Sequence, residues 1–359
     1  MTNKNKMLLS GNYALSEAAI RAGCRFYFGY PITPQNEVAE YMAANLPKVG
    51  GTFIQAESEI ASINMVLGAV VTGARAMTSS SSPGISLKQE GISFLAGQEL
   101  PGVIVNIMRG GPGLGNIDGC QGDYFQATKG GGHGDYHTIV LAPSSVQELV
   151  DLTVLAFELA DKYRNPVMIL GDGQLGQMRE PVEMPDPVKN LPEKDWALRG
   201  AKGRPSRFSR SLILNVRAME EHNWKLQRKY REIDSSEIRY ESYMLDDAEM
   251  VVVAFGSAAR IAKGAIKRVR KEGLKVGLFR PITLWPFPKK AVRDLSNQTR
   301  EFVVFELNTG QMIEDVKLSL EGKGEVYFYG RPGGVIPTPM DVATIIGSRY
   351  YQRIKRRAR

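Results

Sequence analysis

Cysteine is nearly absent from this chain: Cys24 and Cys120 are the two among 359 residues, far apart and without a Cys-x-x-Cys spacing. That excludes a disulfide framework, and equally an iron–sulfur cluster or structural zinc site built from this chain's own thiols. Histidine is scarce as well, with three. His133 and His137 are four apart in Gly130-Gly-Gly-His-Gly-Asp-Tyr-His137, but the glycines argue against the helix that would align them as metal ligands. No metal is expected here. No apolar run is long enough to span a membrane, and Met1-Thr-Asn-Lys-Asn-Lys6 leads into no signal-like segment. A cytoplasmic, reducing setting is the expectation. Internal repeats and low-complexity tracts are missing too.

Charge is not short, but it is lopsided. The formal net charge is +8, and Gln352-Arg-Ile-Lys-Arg-Arg-Ala-Arg359 holds five basic residues in eight. Nothing aromatic is interleaved and no nucleic-acid motif precedes it. A solvated tail is expected, with docking to an acidic partner as the weaker reading. The remainder, 43% hydrophobic and 23% charged, is globular, and its length suits roughly two domains.

Short apolar runs alternate with helical stretches over the first 180 residues or so. Residues 25–30, 103–108 and 166–171 read as strands; Ser145-Val-Gln-Glu148 would cap an amphipathic helix. Such alternation implies βαβ units and a mostly parallel sheet with helices on both faces. Prolines 181, 185, 187 and 192 then interrupt regular structure, leading into a charged insertion at 193–245. Residues 250–256, 275–280, 302–306 and 325–329 supply strands of a second, smaller α/β unit, with a helix following from Ser257. The expected division is 1–185, a linker and insertion 186–245, a second domain 246–350 and a tail 351–359.

Chemistry in such a sheet belongs at the carboxyl ends of strands. Three loops qualify. In Tyr30-Pro-Ile-Thr-Pro34 two prolines hold the backbone around Thr33; the bland alternative makes Thr33 a helix N-cap with Pro34 at the first helical position. Thr78-Ser-Ser-Ser-Ser-Pro-Gly84 reads as a small polar turn suited to close packing on a planar ligand. In Arg109-Gly-Gly-Pro-Gly-Leu-Gly115 an arginine at a strand end precedes glycines that admit a ligand, which suits a carboxylate or phosphate; surface ion pairing is the default reading of a lone arginine. The loop is not a dinucleotide fingerprint.

Glu59 is the most informative residue. No other charge follows it until Arg75, and the intervening segment is apolar on nearly every side, so a helix buried around its circumference is expected. A carboxylate taken there is either stabilised by the helix dipole or kept for a site, since burial without a partner is costly. Gly171-Asp-Gly173 matches the opening of a thiamine diphosphate and magnesium motif, but no asparagine pair follows in residues 196–204. That match is spurious.

In order, Tyr30-Pro-Ile-Thr-Pro34, Gln55-Ala-Glu-Ser-Glu59, Thr78-Ser-Ser-Ser-Ser-Pro-Gly84 and Arg109-Gly-Gly-Pro-Gly113 resemble the alpha subunit of 2-oxoacid:ferredoxin oxidoreductases. Leu278-Phe-Arg-Pro-Ile-Thr-Leu-Trp-Pro-Phe-Pro288 and Gly330-Arg-Pro-Gly-Gly334 continue the likeness. The resemblance implies a thiamine diphosphate-binding-type parallel sheet domain and a smaller transketolase C-terminal-like α/β domain. It implies oxidation of a 2-oxoacid with coenzyme A to acyl-CoA and carbon dioxide, ferredoxin taking the electrons. The cofactor is shared with a beta subunit that carries Mg²⁺ and a [4Fe-4S] cluster, and gamma and ferredoxin-like delta subunits are admitted. By the same resemblance Glu59 matches the glutamate that hydrogen-bonds the pyrimidine N1′, with Glu57 the less apt neighbour. Thr33 and Arg109 match substrate-contacting residues, and Pro31, Ile32, Ser81 and Gly110 line the cofactor. Residues 83–93 and 130–136 look most like the branched-chain, ketoisovalerate-type members; the 2-oxoglutarate type is the alternative. The competing readings are a basic scaffold that docks ferredoxin without catalysis and, remotely, a nucleic-acid binder.

Overall fold

A computed structural model describes residues 6–357. Its strands are β1 (Met7–Ser10), β2 (Phe26–Gly29), β3 (Thr52–Gln55), β4 (Ala76–Ser80), β5 (Gly102–Met108), β6 (Ile139–Leu141), β7 (Val167–Asp172), β8 (Arg179–Val182), β9 (Tyr240–Tyr243), β10 (Met250–Val253), β11 (Val276–Pro281), β12 (Thr283–Trp285), β13 (Glu301–Glu306) and β14 (Glu325–Gly330).

Seven of them form one sheet in the order β12-β6-β7-β5-β4-β2-β3, parallel except at β12. Every residue of β4, β5 and β7 is buried, as expected of parallel strands covered on both faces. The helices Gly11–Arg21, Asn36–Asn45 and Val146–Tyr163 pack on one face. Glu59–Val70 and Ser82–Gly97 pack on the other, as right-handed crossovers require. Ser145 caps Val146–Tyr163 by accepting from the Glu148 N–H at 3.1 Å. Glu148 does not close the box on Ser145; its carboxylate takes the Ser144 N–H and the guanidinium of Arg280.

The second sheet runs β14-β13-β10-β11-β9, with β9 antiparallel at the edge. One residue after β11 the chain crosses to the first sheet, where β12 pairs with β6. The two units are sewn together besides. Gln121 donates to the Phe255 carbonyl and accepts from the Leu307 N–H, while its own N–H reaches the Leu307 carbonyl. Ser257 donates to Asp172 at 2.8 Å. Asp172 also caps the helix Gly173–Gln177, so the carboxylate of the Gly-Asp-Gly segment has a structural occupation.

Several expectations are corrected. Pro181 does not break structure: it lies in β8, which pairs antiparallel with β1 in a two-stranded sheet, and an edge strand is where proline is tolerated. Residues 78–84 are not a turn. Thr78–Ser80 end β4, and Ser81 alone joins it to the helix Ser82–Gly97. The helix Glu59–Val70 is not covered all round, because Ile60, Asn64 and Gly68 form an open stripe at i, i+4, i+8. Thr33 is not an N-cap; that position belongs to Gln35, and the helix starts at Asn36.

Candidate active site

The carboxyl ends of four adjacent strands, β3, β2, β4 and β5, bring the sequence-singled residues to one edge of the sheet. Thr33 follows β2, Glu59 follows β3, Ser81 follows β4 and Arg109 follows β5.

Glu59 is the first residue of its helix, behind Ser58, whose side chain caps the Ala61 N–H. It is 6% exposed. Among the described residues no donor hydrogen-bonds its carboxylate. A Cβ on Gly84 would stand 2.5 Å from Glu59 Oε1 and would overlap Ser80 Oγ, so the third residue of the helix Ser82–Gly97 must be glycine for the carboxyl to lie there. The hydroxyls of Thr78, Ser80 and Ser81 are buried and find no partner. Unsatisfied buried hydroxyls are costly, and one of the three, Ser80 Oγ, lies with Glu59 Oε1 around the position that a Gly84 Cβ would take. The residue left out of the sequence reading is Lys88, wholly buried, whose ammonium donates to Ser62 Oγ and, at 3.3 Å, to the Glu59 carbonyl. Burial pushes its pKa down to about 7 against the pull of Glu59. Its place in Ile-Ser-Leu-Lys-Gln-Glu gives no sign of this; only the helix phase, four residues after Gly84, points it inward.

Arg109 is no surface ion-pair partner. It is buried, and its guanidinium donates from Nη1 to the Thr33 carbonyl and from Nη2 to the Leu114 carbonyl, each at 3.0 Å, leaving Nε without a partner. Thr33 is half-buried; Ile32 is half-buried and Pro31 exposed. Gly110 has its N–H on the Asp118 carbonyl and its carbonyl on the Asn116 N–H, and a Cβ there would meet Asn116 Oδ1. Its backbone closes the glycine loop rather than facing a ligand. A second unforeseen group is Asp123, which accepts from Ser82 Oγ at 2.6 Å and Asn106 Nδ2 at 2.9 Å. Burial raises its pKa against both donors. It borders a cleft of about 440 Å³ between the glycine loop and Asn308–Gln311 of the second unit.

The two glycine-segment histidines part company. His137 stacks on Trp285 with centroids 4.4 Å apart, and His133 meets Phe94 edge-on. No group of three or more metal-ligating side chains is found among the described residues. Nor does any helix there have the length and apolarity to cross a membrane.

The family model for the pyruvate flavodoxin/ferredoxin oxidoreductase thiamine diphosphate-binding domain matches residues 17–244, and that for pyruvate:ferredoxin oxidoreductase core domain II matches 248–342. The ketoisovalerate oxidoreductase subunit VorB of Methanothermobacter thermautotrophicus is 52% identical over 93% of this chain and 95% of its own length. The 2-oxoglutarate synthase subunit KorA of Methanocaldococcus jannaschii is 40% identical over 93% of this chain and 97% of its own. Among solved structures, a 2-oxoglutarate:ferredoxin oxidoreductase from Magnetococcus marinus with 2-oxoglutarate, coenzyme A and succinyl-CoA bound superposes with a TM-score of 0.86 at 28% identity. That match covers 98% of this chain and 66% of the solved one. A split-gene transketolase, at TM-score 0.61 and 13% identity, shares the fold. The chain belongs to the pyruvate flavodoxin/ferredoxin oxidoreductase family and is a subunit of a 2-oxoacid:ferredoxin oxidoreductase.

Proposed function

We propose that this subunit serves the CoA-dependent oxidative decarboxylation of a branched-chain 2-oxoacid, 3-methyl-2-oxobutanoate, with ferredoxin as electron acceptor. The observation that carries the reading is Glu59: a buried carboxylate at a helix N-terminus, without a donor among the described residues and backed by Gly84 and the unpartnered Ser80 hydroxyl. Those groups fit the aminopyrimidine end of thiamine diphosphate, which needs a carboxylate at one ring nitrogen and small polar neighbours. When bound, that cofactor supplies the carbanion chemistry at the substrate's carbonyl carbon. Glu59 holds or shares a proton at the ring nitrogen. Thr33 and Arg109 orient the 2-oxoacid, charge-assisted bonds being the stronger kind. Ser81, with the half-buried Ile32 and the exposed Pro31, walls the ring; Gly110 acts through the shape of its loop.

The diphosphate, its Mg²⁺ and the [4Fe-4S] cluster belong to a beta subunit in this reading, because this chain's cysteines are two and its Gly-Asp-Gly aspartate is engaged elsewhere. Gamma and ferredoxin-like delta subunits complete the assembly, and the location is cytoplasmic. Two features support the branched-chain substrate. The 52% identical relatives are named ketoisovalerate oxidoreductase subunits. The glycine loop beyond Arg109 presents Leu114 and Ile117 and no cation that would receive a second carboxylate.

The test is to co-purify the chain with its partner subunits and follow viologen reduction against a panel of 2-oxoacids. Preference for 3-methyl-2-oxobutanoate is expected, and preference for 2-oxoglutarate overturns the substrate. Glu59→Gln should lose turnover by about 10²-fold or more with assembly intact. Wild-type activity in that variant would sink the assignment of Glu59.

A further inference from the structure

Residues 199–219, in the polar insertion between the two sheets, carry six cations and no acid: Arg199, Lys202, Arg204, Arg207, Arg210 and Arg217. Among the described residues none of the six pairs with a carboxylate, whereas the buried cations Arg75 and Lys194 share Asp161. Between these cations stand apolar side chains turned to water. Phe208, Leu214 and Val216 are 85%, 84% and 81% exposed, three of the four most exposed large apolar side chains among the described residues, and Leu212 is 70% exposed. Single exposed apolar residues need no reason, but a run of them interleaved with charge marks an interaction surface. The fold does not need them there. In the helix Val216–Ser236 the buried residues are Leu226, Tyr230 and Ile233, so its first turns contribute nothing to the core.

We propose that residues 199–219 are a docking surface for another subunit of the enzyme, one that meets it with acidic side chains set around apolar ones. The stretch is anchored. The Leu198 N–H reaches the Val71 carbonyl at 3.0 Å, Arg199 Nε donates to the Thr72 carbonyl at 3.1 Å, and Ser209 donates to Gln98 at 2.9 Å. A surface held in this way has little ordering entropy to lose on binding. Its anchors are the carboxyl ends of the helices Glu59–Val70 and Ser82–Gly97, away from the edge that holds Glu59, so the inference stands apart from the reading of that residue. Two clefts border the stretch. Leu212 and Met219 line one of about 380 Å³ with Phe94 and His133; Val216 and Met219 line another of about 800 Å³ with Trp224 and Tyr136. Such sockets receive the anchoring side chains of a protein, which a flat bilayer surface does not offer. Charge then selects among proteins. A second copy of this chain would set the six unpaired cations against their own kind on a protein of net charge +8, and like charges facing one another cost affinity. An acidic face is steered in and paired instead. The relatives that match this chain are named as subunits, so other polypeptides are there to supply that face.

The experiment uses the complex of this chain with its partner subunits. Leu214 is replaced by the photo-reactive p-benzoylphenylalanine, and the cross-linked peptide is identified by mass spectrometry. A cross-link to an acid-rich segment of another subunit is expected; a cross-link to a second copy of this chain, or none, overturns the proposal. Partner affinity is measured in parallel by sedimentation at rising salt. Phe208→Ser combined with Leu214→Ser should weaken it by on the order of 10²-fold, as loss of two anchoring side chains does. Arg210→Glu combined with Arg217→Glu should weaken it by about tenfold at low salt and flatten its salt dependence. Circular dichroism of the full chain should be unchanged in both pairs, since all four side chains are exposed. If a pair fails to fold, the cross-link still decides. Wild-type affinity in both pairs would sink the idea. So would binding of the wild-type chain to phosphatidylserine vesicles or to single-stranded RNA that both pairs abolish while the complex stays whole. Glu59→Gln is the separating control, expected to lose turnover and keep every subunit.

Discussion

Arg109 donates from Nη1 to the Thr33 carbonyl at 3.0 Å, locking the loop after β5 to the loop after β2. The same guanidinium holds the Leu114 carbonyl of its own loop, so one side chain both folds the glycine loop and sets its spacing from the loop after β2. Arg109→Lys cannot span both carbonyls with a single ammonium. Expected outcomes are a fall in kcat/KM for the 2-oxoacid of about tenfold or more and a stability loss of about 1–3 kcal/mol. Steady-state kinetics of the assembled enzyme and denaturant unfolding check the two numbers separately.

Gly84→Ala places a methyl group against Ser80 Oγ and Glu59 Oε1. Ser80 lies in a wholly buried strand and cannot retreat, so the carboxyl of Glu59 moves. Cofactor affinity should drop by on the order of tenfold with the fold retained, since overpacking of one methyl costs about 1–3 kcal/mol. Unchanged affinity would show that Glu59 can give way freely.

Gln121→Ala opens the seam between the units. It strips the acceptor from the buried Leu307 N–H and the donor from the Phe255 carbonyl, in a place water does not reach. Leaving two such groups unsatisfied costs about 2–4 kcal/mol. Calorimetry should show a lowered transition, with the second unit's unfolding separating from the first.

Lys88 also predicts a pH dependence of stability. Its folded pKa of about 7 lies below the ordinary lysine value of 10.5, so between those values the unfolded chain binds more protons. Stability gains from this group as pH rises through that window, and the burial cost is fully present below pH 7. Lys88→Met should therefore be more stable than wild type at pH 7, by on the order of 4 kcal/mol at most, with the difference vanishing toward pH 10.5. Chemical denaturation of both proteins from pH 6 to 10 tests the sign.

Much of the scaffold was legible beforehand. Runs such as Val103-Ile-Val-Asn-Ile-Met108 and Phe302-Val-Val-Phe-Glu306 are apolar but for Asn106 and Glu306, and strands buried on both faces read this way; they lie in β5 and β13. Pro181 and the serines at 78–84 misled for one reason: local propensity marks a turn or a break, and pairing in a sheet overrides it. The open stripe of Ile60, Asn64 and Gly68 was illegible because the segment's apolar content carries no word on which neighbours exist to cover it.

The sequence by itself determined the α/β class, the strand order in time, the poverty of thiol and imidazole ligands, and which loops follow which strands, because each depends on periodicity and composition alone. Only the tertiary structure decided that the loops after β2, β3, β4 and β5 adjoin, since a parallel sheet's spatial order is set by crossovers and packing, not by chain order. It alone turned Arg109 inward onto the Thr33 carbonyl and sent β12 across to the first sheet. And it alone buried Lys88 beside Glu59, for a lysine in an amphipathic run reads as solvated until a second helix closes over it.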